Sequence, residues 1–197
     1  MSRSGSSYPT PMLCVVGHPN RGKSSIVSTL TENDSVRISP ASGTTRRADR
    51  FEFSLDGRVL LTLVDTPGFQ RARQVQAWLE REPVSPGARP DRVRAFLAEP
   101  GHAERFPDEV ALLRPIMEGA GILYVVDGAQ APSPMDEAEM EILRWTGQPR
   151  LAVINPMAPQ SQTGAWQRTL GQFFQWVRVF NPLTAMLPAR QALLRAM

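Results

Sequence analysis

The sequence predicts an α/β fold in which a mostly parallel sheet is covered by helices on both faces. Short, strongly apolar segments with the length of buried strands alternate along the chain with segments of helical spacing. A glycine-containing loop joins the first strand to the first helix. At 197 residues, 42% of them hydrophobic, the chain is long enough to bury the core of a single domain.

The predicted elements begin with an apolar strand at 12–16 and a helix at 24–30. Residues 31–49 are polar and lack periodicity, so we predict a mobile loop there. Two strands at 51–55 and 59–64, joined by an Asp-Gly turn, predict one antiparallel strand in the sheet. The other predicted strands are 121–127, 150–155 and 176–180, and the other predicted helices are 75–82, 108–117, 134–145, 163–174 and 188–197.

The helix predicted at 134–145 is amphipathic. Its apolar residues recur at Met135, Ala138, Ile142 and Trp145, which is the spacing of one helix face. We predict that the acidic residues of this segment form the outer face of the helix.

The stretch between Gly68 and Gly119 is too long to be a simple connection and is rich in arginine and proline. We therefore predict an insertion at about 70–118, made of short helices that pack beside the sheet. Residues 1–11 are predicted to be a flexible N-terminus, and residues 12–197 a single domain that contains this insertion.

Composition and charge limit the classes of function. The formal charge is only +3, and because Lys23 is the only lysine, 22 basic residues minus 1 leave 21 arginines. These are scattered without interleaved aromatic residues, so direct nucleic-acid binding is not expected. No apolar run approaches the roughly 18 residues of a membrane span. The start of the chain lacks a secretory signal and Cys14 is the only cysteine, so we expect a cytoplasmic protein.

The loop after the first strand carries the strongest chemical signal. The segment GHPNRGKS at 17–24 matches the pattern G-x-x-x-x-G-K-[ST] and lies between an apolar strand and a helix start, which argues against an ordinary glycine turn. Such a loop surrounds phosphate oxygens with peptide N–H groups, while Lys23 reaches the β and γ phosphates and Ser24 binds Mg²⁺. The predicted nucleotide-binding residues here are Gly17, His18, Pro19, Asn20, Arg21, Gly22, Lys23, Ser24 and Ser25.

Two later motifs fit the same chemistry. The sequence DTPG at 65–68 follows a hydrophobic strand, which places Asp65 where it would hold Mg²⁺ through water and the Gly68 N–H where it could sense the γ-phosphate. The polar loop between the motifs contains GTTR at 43–46. Thr45 is our candidate for contacting the metal and the γ-phosphate, with Thr44 as the alternative.

Together, G-x-P-N-x-G-K-S, G-T-T-R and D-T-P-G resemble the translation-factor-related GTPases of the TrmE-Era-EngA group, closely over about residues 12–68 and loosely beyond. The resemblance implies a P-loop NTPase (G-domain) architecture and slow GTP hydrolysis with Mg²⁺, in which Lys23, Thr45 and Gly68 act catalytically. It also implies that Asn20 can bind K⁺ in place of an arginine finger, although asparagine equally suits a tight turn. Phe69 stands where Ras-like proteins carry a water-orienting glutamine.

The chain departs from the family pattern where the base should be recognised. The motif N-K-x-D should follow the strand at 150–155, but the chain reads NPMA at 155–158, so Asn155 is kept while the lysine and aspartate are missing. Guanine preference therefore stays open. Arg47 is a smaller departure, since relatives often have aspartate there. The altered motif, the insertion and residues 141–147 resemble bacterial GTPase-like proteins with a helical domain called DUF3482.

Three functions are compatible with these motifs. We favour a GTP-hydrolysing switch that binds GTP and GDP and is read by an unidentified protein or by a helical domain further along the chain, with nucleotide-dependent dimerisation as an additional expectation. A nucleotide-binding interaction module with negligible hydrolysis is the second, motivated by Phe69. An ATP-using P-loop enzyme is the third, because the base-reading aspartate is absent.

Overall fold

A computed structural model of the chain describes residues 10–18, 22–31, 37–40, 49–55, 58–156, 161–184 and 193. The strands within these residues are β1 (Met12–Val16), β2 (Arg37–Pro40), β3 (Asp49–Leu55), β4 (Arg58–Asp65), β5 (Gly121–Asp127), β6 (Arg150–Asn155) and β7 (Trp176–Val179). The helices are α1 (Lys23–Thr31), α2 (Ala72–Leu79), α3 (Arg89–Ala98), α4 (His102–Arg105), α5 (Pro107–Met117), α6 (Pro134–Trp145) and α7 (Thr163–Leu170), and a 3₁₀ turn spans Pro86–Ala88.

The strands form one sheet in the order β2-β3-β4-β1-β5-β6-β7. Parallel pairs join β4 to β1, β1 to β5, β5 to β6 and β6 to β7. Only β3 runs against the other described strands, because it is antiparallel to both β4 and β2. The predicted mostly parallel sheet with one antiparallel strand is therefore confirmed.

Both faces of the sheet are buried, as expected for parallel strands whose connections cross over them. Alternate residues of β1 enter different cores: Cys14 and Val16 pack with α2, α3, α5, α6 and α7, whereas Leu13 and Val15 pack with α1. Every residue of β5 is buried. The prediction of helices on both faces is thus confirmed, with most of them on one side.

The segment between β4 and β5 folds into the predicted short helices beside the sheet. Its interior contains an aromatic cluster, in which the ring of Phe96 lies 4.5 Å from His102 and 5.4 Å from both Trp78 and Phe106. His102 is buried, and its Nδ1 lies 2.9 Å from the carbonyl oxygen of Phe96. The buried residues of this segment belong to the same hydrophobic core as α6, α7 and one face of the sheet.

Several sequence-based expectations are corrected. The segment 31–49, predicted as a loop without elements, contains β2, whose ladder depends on β3. The acidic residues of α6 do not all face outward, since Asp136 and Glu139 are buried. The helix predicted at 75–82 is shifted to Ala72–Leu79, and that predicted at 163–174 ends at Leu170.

The N-terminal residues 1–9, the Asp-Gly turn at 56–57 and, apart from residue 193, the helix predicted at 188–197 lie outside the described residues. Among the helices that are described, none combines the length and the apolar character needed to cross a lipid bilayer.

Candidate functional site

The loop predicted to bind phosphate leaves the carboxyl end of β1, at the centre of the sheet. Gly17 has a φ of 147°, and a Cβ atom there would lie 2.3 Å from the carbonyl oxygen of Val125 on β5. Gly22, with a φ of 83°, begins the return into α1. Both positions require glycine, the first because the backbone of β5 leaves no room for a side chain.

Lys23 is the first residue of α1 and is only 9% exposed. Its Nζ donates to the carbonyl oxygens of Gly17 at 3.2 Å and His18 at 3.3 Å. Burial lowers the pKa of Lys23, while the nearby carboxylates of Asp65 and Glu139 act in the opposite direction. The ammonium group is therefore held across the loop, with two acids close enough to favour its charge.

The DTPG segment is attached directly to the strand that carries this loop. Asp65 ends β4 and pairs in register with Val15 of β1. The hydroxyl of Thr66 donates to the carbonyl oxygen of Val15 at 2.8 Å, and the main-chain nitrogen of Thr66 lies 3.4 Å from the same oxygen. Phe69 is 1% exposed and packs in the core, so its side chain has no access to solvent in this arrangement. The two phosphate motifs thus lie side by side.

Asn155 ends β6 at the same edge of the sheet and is 4% exposed. Its main-chain carbonyl accepts from the N–H of Gly128 at 2.7 Å. A Cβ atom added to Gly22 would lie 2.4 Å from the Asn155 Nδ2 atom. The side chain of Asn155 therefore packs against the phosphate loop, and this contact joins the predicted base side of the site to its phosphate side.

A buried acid behind the loop escaped the sequence analysis. The Glu139 Oε1 atom lies 3.2 Å from the Nδ1 of His18, and its Oε2 accepts from the Tyr124 hydroxyl at 2.9 Å. Burial raises the pKa of Glu139, and the hydrogen bonds from His18 and Tyr124 lower it. The spacing could have predicted its burial, because Glu139 stands four residues after Met135 and three before Ile142, on the apolar face of α6.

The structure thus gathers part of the predicted site at one edge of the sheet. The described members are Gly17, His18, Gly22, Lys23, Asp65, Gly68 and Asn155. Ser25 is exposed on α1, and Ser24 lies in the same helix. The predicted residues Pro19, Asn20, Arg21, Thr44 and Thr45, together with the side chain of Ser24, lie outside the described part of the chain.

The described residues fit a magnesium ion that is bound mainly through a nucleotide. No cluster of three or more histidine, cysteine, aspartate or glutamate residues in the described part of the chain could hold a metal by itself. Asp65 ends β4 and acts electrostatically on Lys23, which is the position expected of a carboxylate that binds a metal beside the lysine. Mg²⁺ is commonly held by one or two carboxylates together with water and phosphate oxygens, which is the donor set this edge can offer.

Solved structures with a similar fold include two of Era. The chain superposes on a variant of Aquifex aeolicus Era bound to GDP and AlF4− with a TM-score of 0.60 and 20% identity, covering 96% of this chain and 56% of that one. An Era structure in complex with MgGDPNP and a segment of 16S ribosomal RNA gives a TM-score of 0.59 and 19% identity over the same shares of the two chains. These similarities show a shared fold.

Curated relatives match a shorter stretch. GTPase Der of Nitratidesulfovibrio vulgaris is 40% identical over 73 residues, which are 37% of this chain and 15% of that protein. GTPase Der of Rhodopirellula baltica is 37% identical over 68 residues, which are 34% of this chain and 15% of that protein. The match therefore spans about one seventh of each of these relatives.

A family model described as "50S ribosome-binding GTPase" matches residues 12–156. That range begins with β1, includes both phosphate motifs and the helical segment, and ends just after Asn155. With the fold, the loop geometry and most of the chain in agreement, the chain belongs to the family of 50S ribosome-binding GTPases.

Proposed function

We propose that this chain is a GTP-binding and slowly GTP-hydrolysing switch domain that uses Mg²⁺ and K⁺ and recognises the base in an atypical way. The observation that carries the proposal is the position of Lys23. Its ammonium group is held on the carbonyl oxygens of Gly17 and His18, within the influence of Asp65, at the carboxyl edge of a parallel sheet. A cation held there is suited to receive phosphate oxygens.

Each phosphate-side residue has a proposed task. Peptide N–H groups of residues 17–24 surround the phosphates, Lys23 contacts the β and γ phosphates, and Asp65 holds Mg²⁺ through water with help from Ser24 and Thr45. A Mg²⁺ ion held by these residues would supply positive charge to the phosphate oxygens. Gly68 senses the γ-phosphate through its N–H group, so hydrolysis releases the loops on both sides.

The proposed hydrolysis does not depend on a glutamine after Gly68. Phe69, the residue at that position, is fully packed in the core and has no group that could orient water. We assign this task to ordering of the Thr45 loop and to a K⁺ ion at Asn20, which supplies positive charge where other GTPases use arginine. Substitution of Na⁺ for K⁺ should then slow hydrolysis, and equal rates in the two salts would remove Asn20 from the proposal.

Base recognition is the atypical part of the proposed function. An aspartate that accepts from guanine is missing, and leaving those donors unpaired would cost about 1–3 kcal/mol. Asn155 remains, but its side chain packs against Gly22. We infer that guanine is recognised by main-chain groups near β6 and β7, with modest discrimination against adenine.

The proposed partners are GTP and GDP, together with a protein or a helical domain that reads the loop state, and a nucleotide-dependent dimer. The complex with 16S ribosomal RNA is a complex of Era, and we do not transfer that contact to this chain. Several of the described arginines form ion pairs with neighbouring acids, as in Arg92–Glu82, Arg94–Asp91 and Arg144–Glu141. We therefore propose no nucleic-acid partner.

The test is a calorimetric titration of the protein with GTP, GDP, ATP and ADP in buffer containing Mg²⁺ and K⁺. Tighter binding of GTP and GDP than of ATP and ADP supports the proposal, whereas equal or adenine-favouring affinities contradict guanine recognition.

A nucleotide-binding module without hydrolysis is the second candidate, favoured by the buried Phe69. Multiple-turnover phosphate release that is lost in Lys23→Ala would exclude it.

A further inference from the structure

A second buried acid, Glu109, contacts the chain directly after the DTPG segment. Glu109 lies in the first turn of α5 and is 1% exposed. Its Oε1 atom accepts from the N–H of Gln70 at 2.8 Å and from the N–H of Arg71 at 2.5 Å. Because burial of a carboxylate is costly unless it is hydrogen-bonded, these two contacts are what makes an acid tolerable here.

The two N–H groups belong to the start of α2. Arg71 is the N-cap residue of that helix, and its own side chain makes no capping hydrogen bond. Glu109 instead provides the acceptor from a different helix, and its negative charge suits the positive end of the α2 dipole. The Arg71 guanidinium also donates to the carbonyl oxygen of Arg105, at the end of α4. The start of α2 is thus tied to α4 and α5.

Gly68 therefore lies between two attachments that are only a few residues apart. On one side, Thr66 is hydrogen-bonded to the Val15 carbonyl at the end of β1. On the other side, Gln70 and Arg71 are held by Glu109. Only residues 67–69 span the gap, and Phe69 is packed in the core. Few conformations of Gly68 satisfy both attachments at once.

We propose that Glu109 is a positioning residue for Gly68, holding its N–H group in the place that the γ-phosphate requires and coupling the nucleotide state to helices α3–α5. This inference rests on the proposed function, in which Gly68 senses the γ-phosphate. Contacts between the γ-phosphate and Gly68, which only GTP can make, will then act on a segment whose next residues, Gln70 and Arg71, are hydrogen-bonded to Glu109 on α5. The helices between β4 and β5 become the part of the molecule that responds when the γ-phosphate is lost.

The experiment compares Glu109→Ala and Glu109→Gln with the neighbouring, half-buried Asp108→Asn as matched control. The affinities for GDP and for GDPNP are measured by calorimetry, kcat for GTP by phosphate release, and Tm by circular dichroism. In Glu109→Ala we expect GDPNP affinity and kcat to fall about tenfold while GDP affinity changes less than about twofold. Glu109→Gln keeps an acceptor oxygen and should lie between Glu109→Ala and the wild type, and Asp108→Asn should match the wild type.

The outcomes separate this inference from the function on which it rests. Wild-type protein that binds neither GDP nor GDPNP would contradict both. Wild-type binding combined with equal losses for GDP and GDPNP in Glu109→Ala, or with no loss, would overturn the role of Glu109 alone. If Glu109→Ala does not fold, the test uses Glu109→Gln alone. Faster hydrogen exchange of the amides at 68–71, together with a loss of affinity for GDPNP and not for GDP, supports the inference. Unchanged exchange and unchanged affinity contradict it.

Discussion

The phosphate side and the base side of the site are built in different ways. The proposed phosphate side is built on main-chain geometry: Gly17 lies against the Val125 carbonyl, and the Lys23 Nζ donates to the carbonyl oxygens of Gly17 and His18. On the proposed base side, the chain reads NPMA at 155–158 where the family resemblance implies N-K-x-D, so the lysine and the aspartate of that motif are missing. Asn155 is the exception, and its amide packs against Gly22. Asn155 is 4% exposed, and the contact of its side chain with the loop at 17–24 is a structural reason for an asparagine at this position.

The largest expected effect tests the main-chain part of this comparison. In Gly17→Ala the new Cβ would lie 2.3 Å from a backbone oxygen that cannot rotate away, so we expect a loss of about 4 kcal/mol in the free energy of unfolding, measured by urea denaturation. Gly22→Ala is the matched comparison. There the nearest atom is the end of the Asn155 side chain, and strain at φ 83° should cost only about 1–2 kcal/mol. Equal losses would show that the close approach to β5 is unimportant.

Removal of the lysine should act on binding and leave the fold intact. Lys23→Ala is expected to lower the affinity for GTP by about a hundredfold, since charge-assisted contacts to the β and γ phosphates are lost, and the affinity for GDP by less, since GDP has no γ phosphate. Because burial already disfavours the charge of Lys23 in the free protein, Tm without nucleotide should not fall. Calorimetry and thermal denaturation measure the two quantities, and unchanged affinity would refute the phosphate-loop assignment.

Asn155→Ala tests whether the side chain of Asn155 contributes to recognition of the base. If this side chain acts by packing against Gly22, its removal should lower the affinities for GTP and for ATP by the same factor, about tenfold. A loss for GTP alone would instead mean that Asn155 contacts guanine. The double variant with Gly22→Ala should be less than additive, because both changes affect one contact.

The smallest expected effect concerns Glu139, behind the loop. Burial raises its pKa above the ordinary value of 4.5, against the effects of His18 and Tyr124, so between the unfolded-state and folded-state pKa values the folded state binds more protons than the unfolded state. The stability from Glu139 is therefore complete below pH 4.5 and declines as pH rises through the folded-state pKa. Glu139→Gln should gain stability relative to wild type as pH rises towards neutrality. Urea denaturation at several pH values tests this, with the exposed Glu137→Gln as control, and a pH-independent difference would contradict it.

Much of the fold was predictable because local pattern and tertiary structure agree. Strands β5 and β6 are apolar runs of strand length, and α6 has the capping box of Ser133 and Asp136 at its start. Strand β2 was missed because Arg37–Pro40 has no apolar alternation and is a strand only through its pairing with β3. An edge strand of four polar-rich residues carries no signal of its own.

The site was predictable where it depends on a motif and unpredictable where it depends on distant contacts. Glu139 lies within the apolar stripe of α6, yet acids are so rarely buried that the sequence predicts an outer position for it. Glu109 is buried as well, and the helical pattern at 108–117 does not single it out. Nothing in the sequence pairs Asn155 with Gly22, because that contact joins residues from opposite ends of the site. Such contacts follow from the topology of the sheet.

The central place of β1 has a consequence for how the chain is made. This strand precedes every other described strand, yet its neighbours are β4 and β5, so that Leu13 pairs with Leu63 on one side and Gly121 on the other. Contacts between residues so far apart in sequence form slowly. During translation, the phosphate loop cannot reach its final geometry until Val125, against which Gly17 rests, has left the ribosome. A nascent chain will therefore bind nucleotide only after β5 has been synthesised.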